Sequence, residues 1–253
     1  MRIVSIDIET APAHARVWRT GQQFVSLDQI VQPPQMLCYA ARFRDRKRTE
    51  FYSEWGDGRE EMVRQVHRIL DEADAVLHYN GKRFDVPWLR TEMQLLGLTP
   101  PSPFAQIDLY QQTKQFYLVS HKLQHVSTHL AKVEGKISTG GFGLWTAVEA
   151  GDPAAQRLMR RYNIRDVDVL WEVYDALEPW LKLPNANLYV KTADGRPVCV
   201  GCGKLEALQR RGVERLRTGS YHRLWCNPQV GGCGKWSREV HRLDGASVVE
   251  VSV

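Results

Sequence analysis

Asp7 and Glu9 lie two residues apart in an otherwise apolar, β-branched segment, Ile3-Val4-Ser5-Ile6-Asp7-Ile8-Glu9-Thr10. On a strand, alternate side chains share a face. Ser5, Asp7 and Glu9 then share one face, and Val4, Ile6 and Ile8 share the other. Two carboxylates side by side at the end of a buried strand repel each other and lose hydration. Such a pair persists where a divalent cation sits between them. The segment reads as half of a hard-metal site.

Two further stretches supply the other half. In His78-Tyr79-Asn80-Gly81-Lys82-Arg83-Phe84-Asp85, a strand is broken by Asn80-Gly81 and a helix begins near Asp85. Asp85 there is either a helix N-cap or a carboxylate turned toward the end of the first strand. Lys82 and Arg83 beside it read equally as a solvated turn or as phosphate contacts at the rim of a site. Phe84 and Trp88 read as core. In Tyr162-Asn163-Ile164-Arg165-Asp166-Val167-Asp168, Tyr162 and Asp166 are four apart and share a helix face, whereas Asp168 is rotated away from them. Asp108 ends a strand and reads as a cap or a support for the site. His121, His125 and His129 recur every four residues and read as a solvated stripe on one helix.

The tail holds a second cluster. Cys199, Cys202, Cys226 and Cys233 follow the spacing C-x2-C-x23-C-x6-C, and a glycine and a lysine follow the second cysteine of each pair. Paired cysteines without an export signal favour metal over disulfides. Residues 215–225 read as a strand of a small ribbon. A unit this small lacks the core to stand alone, so its metal would be a folding requirement. Cys38 reads as a small buried apolar residue.

Charge is distributed unevenly. Residues 185–253 hold 11 Lys/Arg against 6 acids, while residues 1–184 hold 23 of each and are neutral. A basic tail on a neutral body points to a polyanion, most often nucleic acid. Arg210, Arg211, Arg215, Arg217, Arg223 and Lys235 interleave with Tyr221, Trp225 and Trp236, a composition suited to phosphate contact with base stacking.

These residues need elements to place them. Residues 2–9 form the first strand, and 11–34, with three prolines and a glycine, an irregular excursion. Residues 36–43 and 48–53 make a hairpin, 59–73 an amphipathic helix and 75–79 a short buried strand. Residues 84–96 form a helix and 104–109 the last strand, followed by helices over 118–133, 143–149 and 153–181. The order β-β-β-α-β-α-β followed by helices implies an α/β fold, a mixed sheet with helices on its faces. Two domains are expected: residues 1–184, and a small four-cysteine domain over residues 185–253, with the linker beginning at Pro184. Composition is ordinary for a globular protein, at 43% hydrophobic and 25% charged. No apolar run approaches the roughly 18–20 residues that span a bilayer, and no leader pattern is visible. A cytosolic protein without a membrane partner is expected.

With these motifs in hand, residues 1 to about 181 resemble the DEDD superfamily of 3′–5′ exonucleases, the family of polymerase proofreading domains. The matches are Asp7-Ile8-Glu9-Thr10, Asn80-x3-Phe84-Asp85 and Tyr162-x3-Asp166, the last marking the tyrosine branch. The resemblance implies an RNase H-like five-stranded mixed sheet and a catalytic set of Asp7, Glu9, Asp85, Tyr162 and Asp166. It further implies a pair of Mg²⁺ or Mn²⁺ ions, with Asp7 bridging them. Glu9 and Asp166 would ligate the ion that generates the nucleophile, Asp85 would hold the other largely through water, and Tyr162 would orient the attacking water. The tail resembles a zinc ribbon with one structural Zn²⁺ on its four cysteines; it departs from that pattern in its x6 spacing, which leaves His222 as a rival fourth ligand.

The implied activity is removal of nucleoside 5′-monophosphates from DNA 3′ ends, with a replication protein as a further possible partner. Two alternatives stay open: an RNA exonuclease, and a nucleic-acid-binding module on a silent nuclease scaffold.

Overall fold

The computed structural model describes residues 2–133, 137, 139–182, 192 and 195–243. The expected linker at Pro184 lies outside them. The chain divides into two compact units, Arg2–Tyr174 and Asp175–Val253.

The first unit is built on a five-stranded sheet in the order β5-β4-β1-β6-β7. Its strands are β1 (Ile3–Ala11), β4 (Gln35–Phe43), β5 (Glu50–Ser53), β6 (Ala75–His78) and β7 (Ala105–Asp108). A separate two-stranded pair, β2 (His14–Ala15) and β3 (Ile30–Gln32), lies within the expected excursion. β1 is central, antiparallel to β4 and parallel to β6, so the sheet is mixed as expected. The parallel pairing covers only Ile3, Val4 and Ser5. Beyond Ser5, β1 continues along β4 alone, and a register shift falls between Glu9 and Thr10. Irregularities of this kind re-aim side chains next to active sites.

The alternation in β1 separates two layers. Val4, Ile6 and Ile8 enter a core with Met62, Val63, Val66, Ile69 and Leu70 of α2 (Arg59–Glu72), which follows the one-turn α1 (Glu54–Asp57), and with Leu89 and Met93 of α3 (Asp85–Leu95). Burying a side chain of this size contributes roughly 1.5–3 kcal/mol. On the other face, Leu37 and Cys38 of β4 pack with Leu144 and Val148 of α6 (Gly143–Glu149) and with Ala155 and Met159 of α7 (Pro153–Leu177). β1 thus sits between helix layers, and its acidic side faces α6 and α7.

Four expectations need correction. The helix expected over 118–133 is only a short segment, α5 (Leu123–His125), running into a π-helical turn over Val126–Leu130. His121 precedes it and bonds Thr113 through Nδ1 at 3.1 Å, so the three histidines form no single stripe. Phe84 is 42% exposed rather than core, with its ring edge against the half-buried Trp88. Finally, residues 215–225, expected as one strand of the ribbon, contain a turn between two strands. β8 (Leu208–Leu216) and β9 (Gly219–Cys226) form a hairpin turning at Arg217-Thr218, and β10 (Trp236–Arg238) completes a three-stranded sheet.

Cys38 is fully buried, as its place in a strand suggested. Among the described residues no helix is long and apolar enough to cross a membrane.

Candidate functional site

Asp7, Glu9 and Asp166 each offer a carboxylate oxygen, and the three oxygens lie within 4.8 Å of one another. The first two come from β1 and the third from α7. Mutual repulsion shows in their electrostatics: burial first, then Glu9, Asp166 and Asp85, push the Asp7 carboxyl well above its ordinary value. Three converging oxygens, with a proton-hungry acid among them, fit a hard divalent cation.

Two groups tether this cluster. Asn163 is fully buried, and its Nδ2 donates to the Asp7 carbonyl at 3.0 Å and to the Asp7 carboxylate at 2.7 Å. Trp145 of α6 donates its indole N–H to Glu9 Oε2 at 3.0 Å. The same indole meets the Tyr162 ring edge to face, with centroids 6.3 Å apart. Asn163 carried a legible signal, because it stands three residues before Asp166 and so shares its helix face. Trp145 carried none, since nothing local ties it to Glu9.

Tyr162 is half-buried and hydrogen-bonded to Asp166. Burial, followed by the charges of Asp166 and Glu9, pushes its phenol far above the ordinary range. The hydroxyl therefore stays protonated and can donate and position, but cannot act as a base near neutrality.

Asp85 is buried, and its Oδ1 accepts from the Ile8 backbone N–H at 3.1 Å. That amide lies past the last β1–β6 pair, and Asp85 takes the place of the missing strand partner. Burial pushes Asp85 up to about 7, the bond from Ile8 opposes this, and Asp108 adds to it. Asp85 lies outside the trio of mutually close oxygens but close enough to Asp7 to raise its proton affinity. Phe84 is the residue preceding α3, so Asp85 is its first helical residue and not its cap.

Gly81 makes the turn into α3 possible. A Cβ there would stand 2.6 Å from His78 Cγ and 2.8 Å from Asp85 Oδ2. The Gly81 N–H donates to His78 Nδ1, which leaves the His78 Nε2 proton for Gln106 Oε1 at 3.2 Å. His78 is buried and its pKa is lowered by that burial. Asp108 accepts from both Asn80 N and Tyr110 N, so it caps α4 (Leu109–Gln112) and braces the Asn80 turn at once. Lys82 and Arg83 are exposed on that turn. Asp168 points away and pairs with Arg42 at 3.2 Å.

In the second unit the four cysteine sulfurs lie within 4.8 Å of one another, with Cys199–Cys233 at 3.7 Å and Cys202–Cys226 at 3.6 Å. The x6 spacing does not prevent closure. Pro228–Val230 form one short helical turn, Gly231 has φ 80°, and Gly232 packs where a Cβ would strike Cys226. Both halves then share one hydrogen-bond pattern. Gly203 N donates to Cys199 O and Cys199 N to Lys204 O; Gly234 N donates to Cys226 O and Cys226 N to Lys235 O. Four thiols around one point, without a disulfide, can hold a tetrahedral metal and leave no open position.

Lys235 belongs with this cluster: its Nζ is buried, burial lowers its pKa, and Cys233 and Cys199 oppose that. Arg210, Arg211, Arg215, Arg217 and Arg223 are exposed, and Arg210 is ion-paired with Glu239 at 2.8 Å.

A central strand carrying paired acids, completed by an acid from a C-terminal helix across a five-stranded mixed sheet, defines an RNase H-like fold. The chain belongs to the RNase H superfamily, whose profile matches residues 6–178. A family B DNA polymerase from the hyperthermophilic archaeon Pyrobaculum calidifontis shares this fold, with a TM-score of 0.53 and 19% identity. The match covers 70% of this chain and 24% of the polymerase. No curated protein matches the sequence. Superfamily and site together support a nuclease, a hydrolase acting on nucleic acid.

Proposed function

We propose that the protein is a metal-dependent 3′–5′ exonuclease of the tyrosine-branch DEDD type, acting on DNA 3′ ends and releasing nucleoside 5′-monophosphates. The observation that carries the reading is the convergence of Asp7, Glu9 and Asp166, with Tyr162 bonded to Asp166. Asp7, Glu9, Asp85 and Asp166 would hold a pair of Mg²⁺ or Mn²⁺ ions, which supply an activated water and neutralise the leaving oxygen. Asn163 fixes the Asp7 carboxylate, and Trp145 fixes Glu9. Tyr162 aims the attacking water by hydrogen bonding. Water oxygen bonds to phosphorus as the bond from phosphorus to the 3′ oxygen of the penultimate nucleotide breaks, which frees the terminal monophosphate.

Lys82 and Arg83, exposed beside Asp85, would contact phosphates. In the second unit, Cys199, Cys202, Cys226 and Cys233 would hold one structural Zn²⁺. Arg210, Arg211, Arg215, Arg217 and Arg223 would give that unit its affinity for a polyanion, and a replication protein would be a second partner. A cytosolic setting suits four free, clustered thiols.

The test uses 5′-labelled single strands of DNA and of RNA with Mg²⁺. Stepwise shortening of DNA from the 3′ end is expected, with Asp7→Ala reducing it by about 10²–10³-fold or more. Faster shortening of RNA would move the substrate to RNA. Cleavage of circular strands would make the enzyme an endonuclease. Equal activity in Asp7→Ala would end the reading.

A further inference from the structure

One face of the second unit's sheet is organised more closely than a solvated basic surface requires. Tyr221, Arg223 and Trp225 alternate along β9 and so share a face. Trp225 is paired across the ladder with Trp236 of β10, and Arg223 with Arg238. The two indoles stack, with centroids 5.9 Å apart and planes 24° apart. Three guanidinium groups lie on the rings: Arg211 over Trp225 at 4.9 Å, Arg223 over Trp236 at 5.6 Å and Arg238 over Tyr221 at 5.3 Å. One acid, Glu214, also lies at this array, 3.6 Å from Arg238. Trp236 is 52% exposed and opens onto a groove of about 440 Å³ that Glu214, Arg223, Ser237 and Arg238 also line, two guanidinium groups against one carboxylate.

The stacked Trp225–Trp236 pair, with guanidinium groups set on the rings, forms one surface that is aromatic and cationic together. Such a surface matches an occupant that offers a flat π face and negative charge together. We propose that this face is a stacking platform for single-stranded nucleic acid, on which a base covers Trp236 and the flanking arginines engage the adjoining phosphates. The polymer's identity rests on the nuclease reading above, while the platform itself rests on the ring geometry and charge. A duplex keeps its base faces stacked internally and can meet this surface only through phosphates. Base–aromatic stacking tolerates any sequence, since every base has a π face. Arg210 stands outside the array, held by Glu239.

The test is fluorescence anisotropy of a short labelled oligo-dT with the full chain carrying Asp7→Asn, so that the strand survives. Trp236→Ala should weaken binding about 10-fold, with Trp236→Phe recovering part of the loss. Arg223→Ala should weaken binding and flatten its salt dependence by about one unit of log–log slope. Arg64→Ala removes an exposed guanidinium on α2 and should change nothing. Retained zinc stoichiometry confirms that each variant is folded. Unchanged affinity in Trp236→Ala overturns the proposal, whatever else then covers the indole, a protein partner included. Competition by duplex or heparin as effective as by single strand overturns it as well. Hydrolysis by the unmodified chain is measured separately, so the platform and the exonuclease reading can fail independently.

Discussion

Asn163 holds Asp7 at two points, its backbone carbonyl at 3.0 Å and its carboxylate at 2.7 Å, from a fully buried position on α7. One amide thus fixes the angle at which the central strand presents its acid and ties that strand to the helix bearing Asp166. The bond also favours the charged carboxylate, and it opposes the burial and repulsion that raise Asp7's proton affinity. Asn163→Ala should cost about 1–3 kcal/mol of stability, because the Asp7 carbonyl loses its buried donor. It should also weaken Mg²⁺ binding. Urea unfolding and metal titration calorimetry check both; Mg²⁺ affinity equal to that of the parent would remove Asn163 from the site.

Gly81 predicts a different failure. A Cβ there meets the buried His78 ring at 2.6 Å and the Asp85 carboxylate, held in place by the Ile8 amide, at 2.8 Å. Gly81→Ala should displace Asp85 from the Ile8 amide. A shift of about 1 Å in such a group can cost about 10²-fold in rate. Single-turnover cleavage would reveal the loss, and circular dichroism should find the helices retained. Full activity in a folded Gly81→Ala chain would mean that Asp85's position does not matter.

The buried acids set a pH dependence. Asp85 is pushed up to about 7 by burial, above the value near 4 of an unfolded carboxylate. In the metal-free protein the folded state therefore holds this proton more tightly than the unfolded chain. The group's contribution is full below about pH 4 and is lost as pH rises through about 7. Asp7 acts in the same direction. Saturating Mg²⁺ should oppose the trend, because ligation requires ionised acids. Denaturant unfolding at about pH 5 and about pH 8, compared between parent and Asp85→Asn, isolates the effect. A metal-free parent that gains stability relative to Asp85→Asn across that range would contradict it.

The cysteine cluster makes a local prediction. The buried core around it consists of Cys199, Ala207 and Cys226, packed with Leu208 and the other two cysteines, which is too little to fold without a metal. If the four cysteines hold zinc as proposed, its removal with a chelator should abolish amide protection in β8, β9 and β10 and leave β1 protected. Hydrogen exchange resolved by segment reads this directly. Ribbon protection that survives zinc loss would make the metal dispensable.

The sequence determined by itself the side chains whose relations are local. Period two placed Asp7 and Glu9 on one face of β1 and the apolar residues on the other, and helical spacing placed Tyr162 with Asp166 and turned Asp168 away. The strand and helix order, read the same way, implied the five-stranded mixed sheet. Tertiary structure decided whatever depends on chain segments meeting from far apart. The early end of the β1–β6 pairing leaves the Ile8 amide to Asp85, and α6 brings Trp145 to Glu9 across 136 residues. Phe84 turned outward because α3 begins one residue later and buries Val86 and Leu89 instead. The short turn at Pro228–Val230, with Gly231 and Gly232, closed a cysteine spacing that looked too long. Periodicity fixes which way a side chain points along its own element. Which distant partner it meets is set by packing, and packing depends on the whole chain at once.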